Sequence, residues 1–107
     1  MDARIAAHIE VAGLIRAVEA AGGFATVIAR GERDAGTILV VCCERGSARA
    51  AYERMPRVGG GREWTAVSTQ GAEKPSELSD YIGRRRAQDP DLWVVELDIA
   101  DAERFIE

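Results

Sequence analysis

The clearest strand pattern in the chain is Asp91-Leu92-Trp93-Val94-Val95-Glu96-Leu97-Asp98-Ile99. Alternate side chains of a strand point to opposite faces of its sheet. One face of this stretch is wholly apolar and carries Trp93, Val95, Leu97 and Ile99. The other face carries Leu92, Val94, Glu96 and Asp98. The pattern predicts a strand with one face in the core and two carboxylates at the solvent-exposed end of the other face.

A second strand is predicted over residues 37–43. Thr37-Ile38-Leu39-Val40-Val41 is apolar on both alternations, which is typical of a central strand covered on both faces. Residues 24–30 are also rich in β-branched or aromatic residues, and residues 31–36 between the two runs have turn chemistry with a glycine at each end. We therefore expect 24–30 and 37–43 to pair with each other.

Two further strands are predicted, over residues 48–55 and 64–67. The connection between them contains Gly59, Gly60 and Gly61 and reads as a flexible loop without a nucleotide-binding pattern. With residues 24–30, 37–43 and 91–99 this makes five strands. Residues 4–9 are ambiguous between the start of a helix and a short strand, and we favour the strand, which would be the sixth.

Two main helices are predicted. The first covers about 9–21, because Val11, Leu14, Ile15 and Val18 recur at helical spacing and a glycine pair follows. The second starts at Pro75-Ser76-Glu77 and stops near residue 88, before Asp89-Pro90. Residues 101–106 could add a helical turn.

These elements predict an α+β fold, a single-layer, mostly antiparallel sheet of five or six strands with the two helices packed on one face. A doubly wound α/β sheet is disfavoured, because several strands follow one another without an intervening helix. The 107 residues show no linker and no internal repeat, so we expect one domain over 1–107.

Composition and charge restrict the classes of function. The chain is 47% hydrophobic and 30% charged, which favours a folded protein over a disordered one. It shows neither a secretory signal pattern nor an apolar stretch that could span a membrane, so we expect a cytoplasmic protein. Residues 89–107 carry one Arg against seven Asp or Glu, and this acidity disfavours nucleic acid as a partner.

The two cysteines, Cys42 and Cys43, are adjacent in sequence. On a strand their side chains point to opposite faces, so they cannot hold one metal ion together. A disulfide between neighbours would distort the peptide, and we therefore expect two free thiols in a reducing compartment. A redox switch is the alternative interpretation.

Five residues are candidates for a binding site: Arg30, Asp34, Trp64, Glu96 and Asp98. Glu96 and Asp98 share one strand face about 7 Å apart and could hold a divalent cation, although a solvated strand face is the simpler explanation. Arg30 and Asp34 flank the glycine-bounded loop, where they could meet a ligand or simply pair in a hairpin. Trp64 follows the triple glycine and could stack on a base. His8 is the sole histidine, and no catalytic set, metal site or cofactor motif is complete.

The run Asp89-Pro90-Asp91-Leu92-Trp93-Val94-Val95-Glu96-Leu97 resembles a family of short alphaproteobacterial proteins, the domain of unknown function 1491 family. Ala21-Gly22-Gly23-Phe24 and Arg30-Gly31, followed by Asp34-Ala35-Gly36, extend the resemblance over nearly the whole chain. It implies a compact domain in the bacterial cytoplasm, and it supplies no activity or catalytic residue.

The sequence therefore favours a small cytoplasmic binding or protein-interaction module that is not an enzyme and needs no cofactor. Its partner would be another protein or a second copy of the chain. The alternative is a metal-dependent enzyme or accessory factor that acts on nucleic acid or phosphate substrates through Glu96, Asp98 and arginines such as Arg30.

Overall fold

The computed structural model describes residues 5–56, 62–67 and 75–106. In chain order the elements are α1 (Ala7–Ala20), β1 (Phe24–Ala29), β2 (Ile38–Glu44), β3 (Ser47–Pro56), β4 (Arg62–Ala66), α2 (Pro75–Gln88), β5 (Trp93–Asp98) and a 3-10 helix (Ala102–Phe105). The five strands of the described ranges form one sheet in the order β1-β5-β2-β3-β4. Only β2 and β5 run parallel, so the predicted α+β class with a mostly antiparallel sheet is confirmed.

β2 lies at the centre of the sheet, as its sequence predicts. Its side chains from Ile38 through Cys43 are all buried. Ile38, Val40 and Cys42 point towards α1, whereas Leu39, Val41 and Cys43 point towards α2. The adjacent thiols therefore lie on opposite faces of the sheet, as expected from their spacing.

The two helices cover opposite faces, and the expectation that both pack on one face is wrong. Val11, Leu14 and Val18 of α1 belong to one apolar cluster, and Leu78 of α2 belongs to another on the other side of the sheet. The physical reason is present in β2 itself. A strand that is apolar on both alternations needs apolar cover on both faces.

The predicted pairing of residues 24–30 with 37–43 is also wrong, because β5 lies between β1 and β2. The loop from residue 30 to 37 crosses the start of β5 instead of closing a hairpin. The N–H of Glu32 donates to the carbonyl of Asp91 at 2.9 Å, and the indole Nε1 of Trp93 donates to the carbonyl of Glu32 at 2.7 Å. A Cβ at Gly31 would lie 2.2 Å from the Asp91 carbonyl oxygen. The glycine thus permits a close approach to β5 and does not mark a tight turn.

Residues 7–9 belong to α1, so the predicted strand at 4–9 is wrong over the part described. The backbone N–H groups of Ala7 and His8 donate to the carbonyls of Asp34 and Arg33, each at 2.9 Å. The loop after β1 therefore satisfies two of the N–H groups that a helix leaves unpaired at its start. Ala7 is fully buried there.

The remaining predicted elements are confirmed with small shifts of their ends. α2 covers 75–88, and the predicted turn at 101–106 is the 3-10 helix. The triple glycine at 59–61 lies outside the described residues. Within the described ranges, no helix is both long and apolar enough to cross a membrane.

Candidate functional site

The two edge strands of the sheet, β1 and β4, differ in composition. β1 reads Phe-Ala-Thr-Val-Ile-Ala, with neither a charged residue nor a proline, whereas β4 begins with Arg62 and Glu63. β1 pairs with β5 alone among the described strands, so its outer row of backbone N–H and C=O groups is open for pairing. Charged side chains are a common way of blocking such an edge, and β1 has none.

Large apolar side chains of β1 are exposed on the α2 face of the sheet. Ala25 and Val27 pack against the core on the α1 face, which leaves Phe24 and Thr26 on the other. Phe24 is 75% exposed and Ile28 is 43% exposed. A bulge at Ile28 interrupts the pairing with β5 after Val27.

An open apolar groove, here called the β1 groove, separates β1 from α2 on this face. Its volume is about 350 Å3, and it is lined by residues that include Ile28 of β1, Val41 of β2, Leu78 and Ile82 of α2, and Val94 and Glu96 of β5. α2 packs mainly against β3, and Ala29 at the end of β1 packs against the same apolar cluster as α2. The α2 face is therefore closed at the β3 side and open at the β1 side.

The β1 groove continues into a second, polar depression of about 400 Å3 at the end of α2. Both are lined by Gly83 and Arg86, and the polar one adds Arg30 and Asp89. The Arg30 guanidinium lies 6.0 Å from the centre of the Trp93 ring, a cation–π distance. One end of the combined surface is thus apolar and the other carries two exposed arginines.

A partly buried hydrogen-bond network holds α2 against β3 and so fixes one wall of the β1 groove. Arg85 donates to Glu53 Oε1 from Nε at 3.0 Å and from Nη2 at 2.7 Å, and the Tyr81 hydroxyl donates to Glu53 Oε2. Desolvation by burial raises the pKa of Glu53, but the hydrogen bonds from Arg85 and Tyr81 and the Arg85 charge outweigh it, so the pKa is lowered. These three residues attach α2 to β3 and leave the groove open on its other side.

Glu96 and Asp98, the two carboxylates that the sequence suggested as a cation site, have different surroundings. Asp98 accepts hydrogen bonds from the backbone N–H groups of Arg45 at 2.9 Å and Gly46 at 2.8 Å, one to each carboxylate oxygen. Arg45 and Gly46 have positive φ values of 54° and 81°, so Asp98 holds the tight turn between β2 and β3. Glu96 lines the β1 groove, half-buried. In the part of the chain that the structure describes, no three His, Cys, Asp or Glu side chains come together as a metal site.

The other three candidates lie in separate places. Arg30 lines the polar depression, while Asp34 lies exposed in the loop whose carbonyls meet the start of α1. Trp64 is half-buried against the core on the α1 face, with the Arg54 guanidinium 5.5 Å from its ring centre. Of the predicted site residues, therefore, Glu96 and Arg30 adjoin the combined surface.

Sequence reasoning missed Phe24 and Ile28 as site residues. Both fit a strand pattern, which normally indicates burial, and the sequence does not show which strand lies at an edge. The lack of any charged residue or proline from 24 to 29 even favours an interior strand, because an edge strand usually carries one, so the residues themselves did not mark this site.

The two thiols do not form part of a reactive site. Burial is the main cause that raises the pKa of Cys42 to about 12 and that of Cys43 to about 11, with nearby carboxylates adding to both shifts. Because the thiolate is the nucleophile, the raised pKa values and the burial disfavour reaction of either thiol near neutral pH.

Comparison with known proteins places the chain in a family. The sequence profile of a family described as "Protein of unknown function (DUF1491)" matches residues 5–107. The chain belongs to this DUF1491 family. The predicted resemblance is thereby confirmed, and no function comes with it.

Solved structures of the family share the fold. A crystal structure of a DUF1491 family protein from Caulobacter crescentus CB15 is 35% identical, with a TM-score of 0.77 and coverage of 94% of both chains. An NMR structure of a DUF1491 family protein from the same organism is 35% identical, with a TM-score of 0.81 and coverage of 96% of this chain and 93% of that one.

The solution structure of protein Atu0922 from A. tumefaciens is 29% identical, with a TM-score of 0.73 and coverage of 96% of this chain and 92% of that one. No curated protein matches the chain. The relatives therefore establish the fold and the family, and the geometry of the DUF1491 chain has to support any functional proposal.

Proposed function

We propose that this DUF1491 protein is a protein-interaction module, not an enzyme, and that it binds an extended segment of a protein along β1. One observation carries the proposal. The uncharged edge strand β1 presents Phe24 and Ile28 to solvent beside an apolar groove that no described element covers. Exposed apolar surface rimmed by polar residues is typical of interaction sites in folded proteins.

The mode of binding follows from strand geometry. An extended segment can pair its backbone with the open edge of β1 and so add a strand to the sheet. Alternate side chains of that segment would then lie on the α2 face, beside Ile28 and the β1 groove. The segment that fits is therefore apolar at alternate positions.

The rigid surroundings of the site support this mode. The floor of the β1 groove is made of Val41 and Val94, which are almost completely buried in the central strands. The hydrogen bonds from Arg85 and Tyr81 to Glu53 hold the α2 wall against β3. A partner would therefore meet a preformed surface, which reduces the conformational entropy lost on binding.

A cytoplasmic location is part of the same proposal. It is supported by Cys42 and Cys43, which are free and buried, since reducing compartments maintain free thiols.

The alternative of a metal-dependent enzyme on nucleic acid or phosphate substrates depends on Glu96 and Asp98 acting together. Both oxygens of Asp98 already accept backbone hydrogen bonds, so a cation would compete with the turn between β2 and β3. The geometry therefore favours the interaction module.

The test is affinity capture from the native host with wild-type protein, Ile28→Glu and Ile9→Glu, after nuclease treatment. Ile9 is 55% exposed on α1 and is a matched control for Ile28 on β1. We expect a stoichiometric protein, which can be a second copy of the chain, to be retained by wild type and Ile9→Glu and lost from Ile28→Glu.

The captured protein is then added to the purified module, and amide hydrogen exchange is measured over residues 24–29. Slower exchange there would support binding along β1. Retention by Ile28→Glu, loss on nuclease treatment, or unchanged exchange in β1 would each contradict the proposal.

A further inference from the structure

The sequence of β1 is suited to pairing with itself. Phe24 and Thr26 point to the α2 face, and Ile28 lines the groove on that face. If two copies run antiparallel about a two-fold axis at Thr26, Thr26 meets Thr26 of the second copy. Phe24 of each copy then lies beside Ile28 of the other, where the bulge ends the regular part of the strand.

These cross-strand contacts are of favourable types. Pairs of an aromatic with a β-branched residue and pairs of threonines stabilise neighbouring strands. On the opposite face, Ala25 would lie against Val27 of the second copy, and both are small enough to leave the pairing unhindered. Each Phe24 would also reach the mouth of the other copy's β1 groove, beside Ile28.

Charge does not oppose this arrangement. β1 contains no charged residue, so the strand pair brings no like charges together. Two carboxylates of β5 lie opposite β1, Asp98 opposite Phe24 and Glu96 opposite Thr26, and Glu96 is the one in line with the two-fold axis. The Glu96 residues of two copies would be separated by three strand spacings, roughly 14 Å, which exceeds the screening length of about 10 Å at 0.1 M salt.

The other edge lacks these properties. β4 begins with Arg62 and Glu63, and its Trp64 is packed on the α1 face under the Arg54 guanidinium. The proposed self-pairing is therefore specific to β1. Pairing through β1 alone would join two molecules and then stop, because a two-fold contact uses the same edge of both.

We propose that the protein binding along β1 is a second copy of this chain, so that β1 strands pair antiparallel with Thr26 on the two-fold axis. This inference depends on the proposed function and names its partner. The pair would form one ten-stranded sheet from two five-stranded sheets. A contact built on six-residue strands is at the small end of specific interfaces, so we expect a weak dimer that forms only at high protein concentration.

Sedimentation equilibrium from about 10 μM to about 1 mM tests the association directly. We expect wild type and Ile9→Glu to change from monomer to dimer over this range, and Phe24→Glu to stay monomeric. Phe24 is 75% exposed, so its replacement leaves the fold intact. A wild-type chain that remains monomeric, or a dimer unaffected by Phe24→Glu, would overturn the inference.

Thr26→Cys tests the register. Cysteines facing each other across a two-fold axis of paired strands are at disulfide distance, and the native thiols are buried. We expect rapid cross-linking under oxidised glutathione, which Phe24→Glu in the same chain abolishes. Ala12→Cys, exposed on α1, is the control and should cross-link slowly. Equal rates for the two cysteine variants would contradict the register.

The results separate the two proposals. A monomeric protein that still captures a different protein through Ile28 would disprove self-pairing and leave the proposed function standing. A monomeric protein with no Ile28-dependent capture would disprove both.

Discussion

The two edges of the sheet lie at equal distance from the central strand and meet solvent differently. β4 has charged residues in its sequence and a tryptophan packed against the core. β1 has no charge, and its two largest side chains, Phe24 and Ile28, are exposed. Charged side chains commonly block an edge strand, so this difference is the reason for proposing β1, and not β4, as the pairing edge.

The two edges also differ in the cover of the α2 face. α2 packs mainly against β3, next to β4, while Phe24 and Ile28 of β1 stay exposed on this face. This offset leaves the β1 groove open along one side. Substitutions in either edge strand, or in the elements packed against them, should show what β1 and β4 each contribute to stability and to association.

The largest effect is expected from Gly31→Ala, in the loop that joins β1 to β2 and crosses the start of β5. Its Cβ would lie 2.2 Å from the Asp91 carbonyl oxygen and 2.7 Å from Leu92 C, which forces the loop away from β5. We expect a loss of about 2–3 kcal/mol in the free energy of unfolding, measured by urea denaturation.

Gly13→Ala is the control, because a Cβ there meets nothing within 4 Å in the interior of α1. It should raise the free energy of unfolding by about 0.5–1 kcal/mol. If Gly31→Ala were as stable as wild type, the close packing of this loop on β5 would be wrong.

The next effect concerns the closed side of the α2 face. Arg85→Met removes the main hydrogen-bond donor of Glu53 and leaves a largely buried carboxylate with Tyr81 alone. We expect a loss of about 1–3 kcal/mol and faster amide exchange in α2. Arg84→Met, on the exposed side of the same helix, should change stability by less than about 0.5 kcal/mol. Equal effects of the two variants would contradict a role of Arg85 in holding α2.

A smaller effect is expected in acid. Because the pKa of Glu53 is lowered in the folded state, its contribution to stability is present above the ordinary carboxyl pKa and is lost as the pH falls through the lower, folded value. Wild type should therefore lose more free energy of unfolding between about pH 5 and about pH 3 than Glu53→Gln does. Parallel pH profiles for the two proteins would show that Glu53 does not titrate in this way.

The smallest effect on stability, and the most direct comparison of the edges, comes from placing the same charge on each. Thr26 of β1 and Thr65 of β4 are both exposed, so Thr26→Lys and Thr65→Lys should each change stability by less than about 0.5 kcal/mol. Sedimentation should show that Thr26→Lys prevents association and that Thr65→Lys does not. The reverse result would assign the pairing edge to β4.

The candidate site could be predicted only in part. Glu96 and Arg30 adjoin the surface that the structure shows, and Asp98 and Trp64 have structural surroundings that their residue types do not reveal. Asp98 was placed on the correct strand face. Its hydrogen bonds to Arg45 and Gly46, more than fifty residues earlier, depend on β5 lying beside β2.

The sequence by itself determined the elements that depend on neighbours along the chain. The alternation in β5, the doubly apolar run of β2 and the periodicity of both helices identify these elements, because side-chain direction repeats every two residues in a strand and about every 3.6 in a helix. The buried centre of the sheet followed from β2 alone.

Only the tertiary structure decided which strands are neighbours and which edge is open. β5 lies between β1 and β2, although it is far from both in sequence. Local residue patterns do not show which distant strands become neighbours in a sheet. Phe24 and Ile28 have the same residue types whether β1 lies inside the sheet or at its edge. Their exposure depends on which strand takes the last place and on where α2 stops covering the sheet.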